Sequence, residues 1–262
     1  MTPGGSHGEQ YGNDANLNAR IDLHRRFSTD PISWSRWVFA QMPMPEGARV
    51  LEVGAGTGVL WSDNRDRLPN GLRLTLSDAS PGMLTAAKAQ LAGMAGVEFT
   101  HTDAGHLPGA DQSFDIVIAN HVLYHVPDRQ SAFSEVVRVL RPNGRFYAAT
   151  NGAAHMRELD DLIGPKAAAV QLSATRFGLE NGTEQLVPFF GSVYIVRQQN
   201  PLQVTDVSAV TAYVGSMMLG LSDKEMARID DVVRRIIATE GAFQITRDSG
   251  IFLCAEPRRT AN

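Results

Sequence analysis

The chain has 262 residues, of which 43% are hydrophobic and 20% charged, and its formal net charge is −4. This length suits one large α/β domain with an appended element, and the acidic balance has the wrong sign for a dedicated binder of the nucleic-acid backbone. A single cysteine, Cys254, excludes an internal disulfide framework and a cysteine-based zinc site, and no apolar run approaches the roughly 18 residues that span a bilayer. Residues 1–18 are polar and Gly/Asn-rich, unlike a signal peptide. The expectation is a cytoplasmic protein with neither a nucleic-acid nor a membrane partner, its oligomeric state open.

Residues 1–40 carry Leu17, Ile21, His24, Phe27, Trp34 and Trp37 and read as one or two helices capping the molecule. Trp34 and Trp37 are three apart, on one helical face, and read first as anchors of that helix. Residues 49–53 form a short buried strand, which glycines at 54–58 break before a helix begins near Val59. Residues 72–78 alternate apolar and polar, a strand pattern. Ser80-Pro81 is a helix start, with Ser as N-cap and Pro at the first helical position, and that helix runs to about residue 95. Strands follow at 97–103 and 114–120, then a helix at 129–140. Arg141-Pro142-Asn143-Gly144 signals a stop and turn before a fifth strand at 145–150. Strand–helix alternation on this spacing predicts a doubly wound, mostly parallel sheet with helices on both faces.

After residue 150 the rhythm changes. The pattern predicts a helix at 155–172, a loop at 178–182, and a hairpin of 193–198 with 202–204 about Asn200-Pro201. Helices follow at 207–219 and 222–239, then a terminal antiparallel hairpin of 243–246 with 251–255 turning at Asp248-Ser249-Gly250. The expected division is therefore 1–40 as a helical cap, 41–152 as the core, 153–240 as a lid, and 241–262 as a hairpin completing the sheet. Phe189, Phe190, Tyr194, Tyr213, Met217 and Met218 would make that lid suitable for a bulky apolar substrate, or would simply pack it.

The chemistry starts at residues 52–58, Glu-Val-Gly-Ala-Gly-Thr-Gly. The dinucleotide fingerprint G-x-G-x-x-G would need its third glycine at position 59, which is Val. Glu52, at the strand end, would repel a pyrophosphate but suits the ammonium of an amino-acid ligand. The loop therefore points away from a dinucleotide and toward a nucleoside with a cationic amino-acid tail.

The stretch resembles the E/D-x-G-x-G-x-G loop of the Rossmann-like (class I) S-adenosylmethionine (SAM)-dependent methyltransferases, and the likeness runs through about residues 49–151. Residues 114–121 (F-D-I-V-I-A-N-H) resemble that family's fourth-strand motif, and 140–146 (L-R-P-N-G-R-F) its turn and fifth strand. The segments Y-G-N-D-A-N-L-N-A-R-I-D-L-H-R-R-F-S, A-T-N-G-A-A-H-M and F-G-L-E-N-G look like a bacterial small-molecule subgroup. That subgroup often has Cys at Ala55 and Pro at Thr57, and both replacements here are small. The resemblance implies SAM as cofactor, with S-adenosylhomocysteine as product and a small organic methyl acceptor, such as a secondary metabolite, as partner. It implies Gly54, Ala55, Gly56 and Gly58 along the ligand and Glu52 at its amino-acid end. Asp78, with Ala79, would grip the ribose, Asp103-Ala104 would meet the adenine amino group, and Met83 would pack on the adenine. Asn120 and His121 would touch the methionine end, and Tyr11 and Arg20 would close over it, with His24 and Phe27 behind.

His121 and His125 are four apart and would share a helix face, the spacing of a metal pair. No third ligand and no H-E-x-x-H accompany them, so no metal is expected. Either histidine, or Tyr124, could instead take a proton from an O–H or N–H nucleophile, and each has an ordinary alternative in hydrogen bonding or packing. A SAM-binding protein with non-methylating chemistry or a sensing role remains the other reading.

Overall fold

The computed structural model describes residues 14–169 and 176–259, so Tyr11 lies outside the described residues. The chain forms two compact units. One comprises residues 32–153, 172–197 and 249–262, and the other 1–31, 154–171 and 198–248.

The first unit contains α2 (Trp34–Ala40), β1 (Arg49–Val53), α3 (Val59–Ser62), β2 (Arg73–Asp78), α4 (Pro81–Gln90), β3 (Val97–His101), β4 (Phe114–Asn120), α5 (Arg129–Val139), β5 (Leu140–Asn151), α7 (Gly182–Leu186), β6 (Phe190–Gln198) and β9 (Ser249–Pro257). The second contains α1 (Asp14–Phe27), α6 (Arg157–Ile163), β7 (Leu202–Val204), α8 (Val207–Ser216), α9 (Asp223–Glu240) and β8 (Phe243–Ile245).

Seven strands form one sheet in the order β3-β2-β1-β4-β5-β9-β6. The pairs β3–β2, β2–β1, β1–β4 and β4–β5 are parallel, while β9 runs antiparallel to β5 from Phe146↔Cys254 to Asn151↔Ser249. Alternate residues of the central strands feed two cores. Leu51, Val53, Val117, Ala119, Phe146 and Ala148 pack with Phe133, Val136 and Val137 of α5. Val50, Ile116, Ile118, Tyr147 and Ala149 pack with Val38 and Phe39 of α2 and with Leu60 and Trp61 of α3. Both faces being covered explains why β1 and β4 read as nearly continuous apolar runs.

Several boundaries differ from the sequence reading. Helix α4 stops at Gln90, because the run from Ala92 to Gly96 holds two glycines that leave helical geometry. Residues 141–144 do not separate α5 from a later strand. They lie within β5, where Phe114↔Leu140 is followed by Ile116↔Arg145, an irregularity that absorbs the extra residues. The two expected hairpins exchange partners: β6 joins the main sheet beside β9, and β7 pairs with β8 through Leu202↔Ile245 and Val204↔Phe243. A buried polar network lies beside these strands. Arg247 donates to Ser28 Oγ (2.9 Å) and Gln198 Oε1 (3.3 Å), and Gln198 Nε2 donates to Asp30 (2.7 Å). These bonds hold Arg247 within the second unit, directly after β8, which pairs there with β7.

The expected cap and lid are likewise redistributed. Helix α1 belongs to the second unit and α2 to the first. Phe190 lies in the core of the first unit, stacked on Phe146 at 5.6 Å, and Phe189 packs on Phe133 at 5.4 Å. Tyr194 is exposed on β6, while Tyr213 and Met217 pack on the second unit's core of Leu23, Phe27, Leu159, Val210, Ile229 and Val233. The aromatic residues read as one lid therefore serve two separate cores.

Candidate functional site

Strand register gathers the predicted residues along one edge of the first unit. Val53 is level with Ser77 on β2 and with Ala119 on β4, and Asp78 is level with His101 on β3. Gly54, Asp78 and Asn120, each one residue further on, thus form a row across three neighbouring strands. The strand order reverses direction between β1 and β4, the topological switch point at which doubly wound sheets hold ligands.

The three loop glycines share positive φ (68° at Gly54, 56° at Gly56, 76° at Gly58) but have different neighbours. A Cβ on Gly54 would collide with Val122, and one on Gly58 would lie 2.9 Å from Leu91 Cδ1. A Cβ on Gly56 would meet no protein atom within 4 Å. Gly54 and Gly58 thus admit close internal packing, and Gly56 alone faces open space. Ala55 is buried in the core beside α2 and α3, and its N–H donates to Ser77 O (3.0 Å).

The Asp78 carboxylate is tied to this loop. One oxygen accepts the Gly56 N–H (2.9 Å) and the other the Ser80 N–H (2.8 Å), while Ser80 caps α4. Ala79 is exposed beside it, and Met83 is half-buried in the first turn of α4. Glu52 is buried at the end of β1 and accepts the Trp61 indole N–H at 2.5 Å. Burial pushes its carboxyl up to about 8 despite the Trp61 bond, and the nearby Asp78 charge adds to the rise. Glu52 is therefore largely protonated at neutral pH. The spacing of the motif contained no signal for its partner Trp61.

Asp103 lies beyond β3 and is exposed, with one oxygen accepting the Gly105 N–H (2.8 Å) and meeting His106 Nδ1 (3.1 Å). The His106 bond, helped by Gly105, holds its carboxyl below the usual range. Ala104 packs on the core beneath. Asp103 thus stands at the same sheet edge as Asp78, shaped as an Asx turn.

At the end of β4 the backbone leaves the strand sharply. His121 has φ 55°, and its N–H donates to Ala149 O (2.9 Å). A short 3₁₀ turn at Leu123–His125 follows, so His121 and His125 do not share a helix face as expected. The left-handed residue at 121 prevents a continuous helix from starting there. By accessible area His121 is half-buried, yet the protein packed around its ring is as dense as in an interior, and that density governs desolvation. Burial, followed by the neighbouring His125, lowers its pKa to about 4, which leaves the ring neutral at pH 7. Its ring lies 5.2 Å from Trp34 and 6.5 Å from Tyr124, and Tyr124 lies 4.5 Å from His125. Trp34, read from sequence as an anchor, therefore also adjoins the site, a proximity that helical spacing could not reveal.

Arg20 belongs to the second unit, where its guanidinium donates to Ser216 Oγ (3.1 Å) and Ser216 O (2.9 Å). His24 lies there too, its ring 6.1 Å from His155, and Phe27 is part of that unit's core. Among the described residues no group of three or more His, Cys, Asp or Glu side chains is arranged to hold a metal. No helix among them is long and apolar enough to cross a membrane.

The residues of the first unit fit a nucleoside with an amino-acid tail. Gly56 leaves backbone open to close approach, Asp78 supplies a carboxylate at the same sheet edge, and Asn120 Oδ1 is a buried acceptor with no hydrogen-bond partner among the described residues. An unpaired buried acceptor calls for a donor from a ligand.

Comparison with known proteins agrees. Residues 51–148 match the family described as "Methyltransferase domain". Over 131 residues the chain is 37% identical to the ubiquinone/menaquinone biosynthesis C-methyltransferase UbiE of Desulfotalea psychrophila, a match covering 49% of this chain and 52% of that protein. The chain spans about half or less of the length of the curated relatives it matches first. Among solved structures, phosphoethanolamine N-methyltransferase 2 of Haemonchus contortus, in complex with phosphomonomethylethanolamine and S-adenosylhomocysteine, superposes with a TM-score of 0.61 at 16% identity, covering 96% of this chain and 59% of that one. The [4+2]-cyclase SpnF superposes with a TM-score of 0.57 at 18% identity, covering 96% of each chain. These two likenesses speak for the fold. Residues 51–148 thus match a methyltransferase-domain family, and they lie in a fold of the Rossmann-like kind that these structures share.

Proposed function

We propose that the chain is a SAM-dependent methyltransferase acting on a small organic acceptor such as a secondary metabolite. The observation that carries this is that Gly56, in the loop after β1, presents open backbone, while Asp78 and Asn120 present a carboxylate and an unpaired acceptor at the same edge of the sheet. SAM supplies an electrophilic methyl on a positively charged sulfur that becomes neutral on transfer. The protein's part is alignment, which in intramolecular models contributes roughly 7–11 kcal/mol. In this reading the second Asp78 lone pairs hold the ribose hydroxyls, Asp103 meets the adenine amino group with Ala104 and Met83 against the ring, and Asn120 and Glu52 receive the ammonium. His121, neutral at pH 7, or His125 or Tyr124 takes the acceptor's proton where the nucleophile is an O–H or N–H.

Relatives whose names place them in quinone biosynthesis as C-methyltransferases support a small-molecule acceptor. The acidic net charge supports the absence of a nucleic-acid partner. The second reading, SAM binding without methylation, is favoured by one observation: the fold is shared with a [4+2]-cyclase. Calorimetry with SAM, followed by assay of S-adenosylhomocysteine release over a panel of small hydroxylated and aminated acceptors, separates the two. Release that depends on an acceptor supports methyl transfer, and tight SAM binding with no release from any acceptor favours the second reading. No SAM binding overturns both.

A further inference from the structure

Among the buried side-chain atoms of the first unit without a hydrogen-bond partner among the described residues are two of opposite kind: Trp34 Nε1, which can only donate, and Asn120 Oδ1, which can only accept. His121 links them. It follows Asn120 in the chain, and its ring lies 5.2 Å from the Trp34 ring. The indole is a fixed donor. It stacks on Trp37 at 5.2 Å and 23°, and α2 is fastened to the segment after α3 through Arg36 Nε to Asp63 O (3.1 Å) and Asn64 Nδ2 to Ser35 O (3.1 Å).

We propose that Trp34 Nε1 donates a hydrogen bond to the carboxylate of SAM's amino-acid tail, while Asn120 Oδ1 accepts from its ammonium. The inference rests on the SAM reading above and adds a residue to it. An α-amino acid presents a carboxylate and an ammonium on one carbon, so it needs a donor and an acceptor close together. Trp34 Nε1 and Asn120 Oδ1 are one of each, both buried and unsatisfied by protein, on segments that meet where the Trp34 ring adjoins His121. An indole N–H suits this task because it does not titrate and has no acceptor capacity to misdirect the ammonium. Leaving such an N–H buried and unpaired is costly, and a ligand oxygen removes that cost.

The test uses Trp34→Phe, which keeps an aromatic ring in the stack and removes the N–H, with two nucleosides as probes in calorimetry. S-adenosylhomocysteine carries the amino-acid tail; methylthioadenosine retains the adenosine and sulfur without it. The variant should bind S-adenosylhomocysteine about tenfold or more weakly, the usual size of a hydrogen bond to a charged group, and methylthioadenosine within about twofold of wild type. Unchanged S-adenosylhomocysteine affinity would mean that the N–H serves another group, such as an acceptor oxygen, and overturns the inference. Equal losses for both nucleosides would mean that Trp34 only packs, and overturn it as well. If wild type itself fails to bind S-adenosylhomocysteine, the cofactor reading falls and takes the inference with it. Should the variant not fold, the indole ¹⁵N–H resonances of the wild-type protein decide. One should move on addition of S-adenosylhomocysteine and not of methylthioadenosine, and three unmoved resonances would overturn the proposal.

Discussion

Replacing Glu52 with Gln removes a carboxyl that the fold keeps protonated and leaves an amide oxygen to accept the Trp61 N–H. The folded pKa of about 8 lies well above the ordinary carboxylate value of 4.5. Between those two pH values the folded protein holds a proton that the unfolded chain has released. Stability is therefore unaffected below about pH 4.5, falls as pH rises toward 8, and levels off above it. At 1.36 kcal/mol per pH unit, wild type forfeits about 3 kcal/mol at pH 7 and nearly 5 kcal/mol above pH 8, against a total stability of about 5–15 kcal/mol.

Urea unfolding of both proteins at about pH 5, 7 and 8.5 reads this directly. The Glu52→Gln advantage should be under about 1 kcal/mol at the lowest pH and grow to several kcal/mol at the highest. A difference that does not change with pH would show that Glu52 is not held protonated, and would refute the reasoning. The same variant should bind SAM more weakly. In wild type an ammonium near Glu52 favours its ionised form, so binding near pH 7 should release a proton, seen as a binding enthalpy that varies with buffer ionisation heat.

The loop glycines separate by neighbour. Gly56→Ala should fold with a loss of about 1–2 kcal/mol from its left-handed backbone and weaken SAM binding, whereas Gly54→Ala, whose Cβ overlaps Val122, should lose clearly more stability in thermal melts. Equal melting temperatures would contradict the packing assigned to Gly54. Asp78→Asn loosens the strap on the Gly56 N–H and the ribose hold together, so calorimetry should show SAM and methylthioadenosine weakened alike, by about 10- to 100-fold. A loss confined to SAM would place Asp78 at the tail instead. His121→Asn keeps a residue that tolerates positive φ and removes the ring. Because the folded pKa of about 4 lies below the ordinary 6.5, wild type loses up to about 3 kcal/mol as pH falls through that window, and the variant should not. Parallel urea midpoints for the two proteins at about pH 4.5 and 7 would reject the buried, neutral His121.

The sheet was legible in the sequence because its strands are short apolar runs with punctuation at each end: Gly54 after β1, Ser80-Pro81 after β2, and Asp128 as N-cap of α5. The placing of Glu52, Gly56, Asp78 and Asn120 at one sheet edge was legible for the same reason, since strand ends in a parallel sheet fall at one edge whatever the register in detail. What the sequence did not disclose depended on contacts between distant residues. Nothing local pairs Arg247 with Ser28 across 219 positions, and nothing local signals that β8, just before Arg247, pairs with β7 rather than with β9. The turn read at Asp248-Gly250 failed because its buried backbone enters β9 directly. Trp34 and His121 were each read within their own segment, so an indole beside a neutral imidazole was invisible until α2 packed.

The two shifted groups also bear on which ligand the site prefers. Glu52 is protonated and His121 unprotonated at neutral pH, each because burial disfavours its charge. A phosphate-bearing ligand would find no cation in His121 and would keep Glu52 in its neutral form. A sulfonium with an α-ammonium meets no opposing cation there, finds the Asp78 charge in the same row, and can draw the proton from Glu52 as it arrives. In the SAM reading, the response of these buried groups suits a cationic nucleoside, whose ammonium favours ionised Glu52. That fit is independent of the glycine spacing at Val59 that first argued against a dinucleotide.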